Sequence, residues 1–155
     1  MKNAFLSLGK YAILPAILFS IPLIFFLQDE KFEKTWLLYL GNALFLFCIF
    51  VFVLLYSKKS NTNSPLNAGL SVTFMGIAFC FILAIICIIV FAPGLFNIGA
   101  AKDTFHDMPA ALPPGHRHGV LLMVLADLII GNVTAGSFGA VMASGAMRRH
   151  RDGTA

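Results

Sequence analysis

The sequence predicts an all-α membrane protein, a bundle of four transmembrane helices with both termini in the cytoplasm. Three observations carry that prediction: a composition that is 59% hydrophobic and only 12% charged, four long apolar runs, and an uneven distribution of Lys and Arg between the segments that join them. Soluble domains are about 45–50% apolar and about 25% charged, so the 16 Phe and the mean hydropathy of +0.86 place this chain in a bilayer. Its 155 residues suit one compact unit of a few spans, a single integral domain over 1–155. A net charge of +4 raises the question of nucleic acid. The chain has no basic face and no interleaved aromatic platform, so nucleic acid is not expected as a partner.

The spans follow in order. About 20 apolar residues are needed to cross roughly 30 Å of hydrocarbon, and the segments at about 11–27, 36–56, 66–91 and 120–146 meet that length. In lipid the backbone must satisfy its own hydrogen bonds, so each run is expected to be a helix. The first follows Lys2 and Lys10 as a secretory signal would, but it ends on Leu27-Gln28-Asp29-Glu30 rather than small residues, and a retained span is expected. Pro15 and Pro22 each remove a donor from it and should bend it. Trp36 and Tyr39 at one end of the second span and Tyr56 at the other fit interfacial anchoring. Ser64 before Pro65 marks the start of the third, as N-cap and first helical residue. Pro93-Gly94 closes the third span and opens a segment at about 94–119, expected to be an outer loop.

Orientation comes from Lys and Arg. Lys2, Lys10, Lys58, Lys59, Arg148, Arg149 and Arg151 fall on one face, with Asp152 the acid among them. The other face mixes Lys31, Lys34, Lys102 and Arg117 with Asp29, Glu30, Glu33, Asp103 and Asp107. The positive-inside rule then puts both termini in the cytoplasm, in a multi-pass protein of the cell's inner (plasma) membrane.

The outer segment contains HDMPAALPPGHRHG, with His106, Asp107, Met108, His116 and His118 as potential donors. Imidazole and thioether together suit copper, and in an extended strand His116 and His118 would point to one side. Arg117 stands between them, the three prolines restrict folding back, and the spacing matches no zinc pattern. The preferred expectation is a solvated loop and no cofactor, with a transition-metal site at His106, His116 and His118 as the alternative.

The fourth span carries the most information. Gly131, Ala135, Gly139 and Ala143 recur every four residues, flanked by Asn132, Gly136, Ala140 and Ser144. Small residues at this spacing let helix backbones approach closely in lipid, which predicts a packing seam, preferably within the chain, and predicts this span to be the most protein-buried of the four. Asp127 lies four residues before Gly131. An acid inside a span costs roughly 2.5–3.5 kcal/mol and marks a functional site by default. Here the preferred role is to hold helices together by hydrogen bonding to Asn132, to Asn42 on the second span, or to Ser71 or Thr73 on the third. Cys48, Cys80 and Cys87 are expected as apolar fillers. No nucleophile, P-loop or metal motif argues for an enzyme. The expected partners are the bilayer and other membrane subunits or a second copy. The expected function is that of a non-catalytic accessory or interaction subunit. The alternative is a small transporter or an ion- or proton-conducting protein using Asp127, with the outer histidines capturing metal or protons.

Overall fold

The computed structural model describes residues 2–29, 31–59, 65–96 and 114–152. Among these every regular element is helical: α1 (Lys2–Leu27), α2 (Trp36–Lys59), α3 (Pro65–Phe91), a short 3₁₀ turn (Pro93–Leu95), α4 (Pro114–Ala126) and α5 (Asn132–Asp152). A π turn, Asp127–Gly131, joins α4 to α5, so that the two read as one long element with a wider turn inside it. Four helical stretches are long and apolar enough to cross a membrane: Leu8–Leu27, Trp36–Tyr56, Pro65–Phe91 and Gly119–Met147. α1 runs through Pro15 and Pro22 without interruption. α4 begins at Pro114, ahead of the expected start near 120. Proline in the first turn of a helix loses only a donor that would have had no partner there.

Helices this apolar on every side carry no periodic stripe to say which face turns inward; small residues decide it. Gly41 lies against the Phe19 ring, and Tyr11 packs on Phe52 at 5.1 Å between centroids, so α1 and α2 are antiparallel. Gly69 against Val53 and Gly76 against Phe45 set α3 antiparallel to α2, and so parallel to α1. Gly131 on Asn42 and Gly139 on Leu46 make α5 parallel to α2; Gly136 on Thr73 makes it antiparallel to α3. The result is an up-down-up-down bundle. α2 and α3 touch across its middle, with α1 seated along one side of that pair and α5 along the other.

The core lies along the two grooves so formed. Phe19, Leu23, Phe26, Phe45, Ile49 and Ile88 are fully buried in it. Against expectation, the fourth span is the least enclosed: half of the most apolar stretch of α1 is buried, but 22% of that of the fourth span. The reason lies in its composition. Small residues touch a neighbour over a narrow strip, leaving Leu122, Ile130, Phe138, Val141 and Met142 exposed on the rest of the helix, where lipid is the natural solvent for them. α1 instead offers Ala12, Ala16, Phe19, Leu23 and Phe26, spaced by three and four, and sinks that whole row into the groove between α2 and α3.

The link between α1 and α2 is tied by Asp29, whose Oδ2 accepts the backbone N–H of Glu33 at 2.9 Å and of Lys34 at 3.2 Å. The Lys34 ammonium adds a pair at 3.6 Å. Within this link Phe32 takes a positive φ of 52°, uncommon for a residue with a Cβ. Its ring is held on Phe26 at 5.6 Å. Short and self-bonded, this turn places Thr35, and Tyr39 at the start of α2, at the rim of the site described next.

Candidate functional site

α5 supplies most of the packing seam and the π turn the acid. A Cβ on Gly139 would lie 2.9 Å from the backbone carbonyl oxygen of Leu46, so the two helices meet main chain to main chain there. Gly136 is equally crowded, its Cβ position lying 2.8 Å from Thr73 Oγ1 and 2.9 Å from the Phe45 ring. Ala140 meets Gly69 on α3 in the same manner, and Ala143 is fully buried. Gly131 abuts the Asn42 amide, while Ala135 is only half-buried. The small residues therefore face α2 and α3 of the same chain.

Hydroxyl groups in the spans are satisfied by their own helices: Thr73 donates to Gly69 O at 2.9 Å, Ser20 to Ala16 O at 2.8 Å and Thr134 to Ile130 O at 2.8 Å. Thr73 is thus engaged away from Asp127, and among the described residues no hydrogen bond joins Ser71 to that acid. Asn132 is fully buried and works on the π turn. Its backbone N–H is directed to Ile129 O, one residue later than an α-helix would take it, and its side-chain Nδ2 bonds Leu128 O at 3.0 Å. The side chain thereby serves the carbonyl that the displaced N–H would otherwise have served.

Among the candidate partners, Asn42 is the one that meets Asp127. Asn42 Nδ2 donates to Asp127 Oδ1 at 2.8 Å, bridging 85 residues of sequence and fastening α2 to the first residue of the π turn. Three side-chain oxygens stay buried without a hydrogen-bond partner among the described residues: Asn42 Oδ1, Asp127 Oδ2 and Asn132 Oδ1. Beside the pair lies a cleft of about 370 Å³ between the start of α2 and the end of α4, bounded by Thr35, Leu38, Tyr39, Met123, Asp127 and Ile130. Most of this lining is apolar and Asp127 is its acid.

Sequence reasoning found Asp127, Asn42 and Asn132 but not the cleft or the π turn. Tyr39 was visible as an interfacial aromatic, but Pro114 reads as part of the outer segment rather than as a helix start, and nothing in DLIIG announces a wider turn. Of the histidines, His106 lies outside the described residues. His116 and His118 fall in the N-terminal part of α4 rather than in an extended segment. No group of three or more potential metal ligands forms among the described residues. Cys48, Cys80 and Cys87 are free thiols, the last two buried.

Comparison with known proteins gives no matching family model, no similar curated protein and no similar solved structure.

Proposed function

We propose that this chain is a multi-pass protein of the cell's inner (plasma) membrane, both termini cytoplasmic, acting as a non-catalytic accessory or interaction subunit of a larger membrane assembly. The observation that supports it is the use made of Asp127. It is the acid of the four described spans, and it is engaged by Asn42 of the same bundle, tying α2 to the fourth span. A proton or ion relay needs a succession of ionisable groups through the membrane. Here the described residues of α2 and α3 within the spans contribute no charged side chain with which to continue one. The broad exposed apolar surface of α5 supplies room for lipid or for a neighbouring subunit.

One observation favours a second reading, a small transporter or ion- or proton-conducting protein: the cleft that reaches Asp127. Purification of the tagged full chain in mild detergent separates the two. A stoichiometric partner supports the accessory reading. A chain that purifies alone and, in proteoliposomes, gives a proton or cation flux abolished by Asp127→Asn overturns it in favour of the second.

A further inference from the structure

The orphaned oxygens at the Asn42–Asp127 contact are both acceptors, one on each partner. An ionised carboxylate accepts only, and a primary amide has one oxygen that accepts and two N–H groups that donate. With Asp127 ionised, the bond from Asn42 Nδ2 to Asp127 Oδ1 is made, while Asn42 Oδ1 and Asp127 Oδ2 are each buried with no donor among the described residues. A single hydrogen on Asp127 Oδ2 would supply the donor that this acceptor pair lacks. That hydrogen would turn one orphan into a donor, and the other is an acceptor of the kind such a donor requires. Both oxygens are buried.

We infer that Asp127 is carried as the neutral acid at neutral pH, paired with Asn42 in a cyclic acid–amide contact, and that this contact is a proton-binding site inside the bundle. Among the described residues the ion pair formed is Lys34 with Asp29, and no cation is paired with Asp127. α2 brings Tyr39 to the cleft and otherwise carries Cys48 and Tyr56 as its titratable groups within the span. α3, packed on the π turn, has Cys80 and Cys87 and no charged residue from end to end; the 3₁₀ turn at Pro93–Leu95 has none. His116, Arg117 and His118 lie at the far end of α4, nine or more residues from Asp127 along the chain. The amide itself is the partner, and Gly131 is what lets it in: a Cβ there would lie 2.6 Å from Asn42 Nδ2.

Infrared spectroscopy of the purified full chain in lipid tests this, with aspartate ¹³C-labelled so that its carboxyl bands can be recognised. Exposed aspartates titrate near about 3.9 and are ionised from about pH 5 to about pH 8. The expected result in that interval is a neutral-acid C=O band that moves on labelling, shifts in D₂O and is missing from Asp127→Asn. In Asn42→Ala the band should be displaced or lost; an unchanged band there overturns the pairing. In the wild-type chain, where folding of a variant is not at issue, aspartate intensity confined to ionised carboxylate bands throughout the interval overturns the inference outright.

Discussion

Replacing Gly139 by alanine isolates the close approach of α2 and α5. The new methyl would sit 2.9 Å from the Leu46 carbonyl oxygen and 3.6 Å from the Phe50 backbone nitrogen. Ordinary contact begins at 3.4 Å, so α5 must retreat by about 0.5 Å, and because the obstacle is main chain no rotamer change can absorb it. Forcing one extra carbon into such a contact costs about 1–3 kcal/mol. Alanine also favours a helix over glycine by about 1 kcal/mol, which would mask part of the loss. Gly145 supplies the control: it lies on the same helix and a Cβ there meets nothing within 4 Å. Gly145→Ala gains the propensity without the clash, so the difference between the two variants reads the packing alone, an expected gap of about 1–3 kcal/mol or five- to more than a hundredfold in the folding equilibrium. Unfolding in mixed micelles by titration with a denaturing detergent, followed by circular dichroism, measures it. Equal midpoints and slopes for the two variants would refute the argument that backbone proximity at Gly139 holds the seam.

Four further outcomes are expected. Asp127→Asn should fold within about 1 kcal/mol of wild type, since an amide can make both bonds with Asn42, whereas Asp127→Leu strands the Asn42 amide and should cost about 1–3 kcal/mol in the same assay. Gly131→Ala should displace Asn42 and resemble Asp127→Leu; combined with Asn42→Ala it should cost clearly less than the sum, because both act on one contact. Calorimetric titration with Cu(II) and Zn(II) should show no saturable site of micromolar or better affinity, and such a site, if found and then lost when His106, His116 and His118 become Ala, would restore the metal alternative. C-terminal fusions should give a fluorescent green protein and a silent alkaline phosphatase; the opposite pattern would invert the orientation drawn from Lys and Arg.

Much of the architecture could be read from the sequence because the bilayer imposes it. Runs such as residues 65–91 have no other means of hiding their backbone than a helix. The seam was legible for a related reason: Gly136 and Gly139 have no side chain to justify their place except by what may come near them. Burial was misjudged because small spacing was equated with enclosure, although a narrow strip of contact leaves Phe138 and Met142 outside. The partner of Asp127 stayed open among Asn42, Asn132, Ser71 and Thr73, since depth along a helix is readable and rotation about it is not when every face is apolar. The cleft arises from where the turn at 29–35 starts α2 relative to α4, a three-dimensional offset with no local signature.

The π turn has a consequence for phase. An α-helix advances about 100° per residue, and a turn that holds one residue more sets everything beyond it back by about that angle. Asp127 and Gly139 can then both look toward α2, one to Asn42 and the other to Leu46, although they belong to the two sides of the interruption. At even α pitch the twelve steps from Asp127 to Gly139 would part them by about 120°, whereas removing Ile129 or Ile130 would leave eleven steps and keep both within about 20° of one face. The wider turn therefore acts as the angular key between a polar joint and an apolar one, taking up the residue that an even pitch would turn into a rotation.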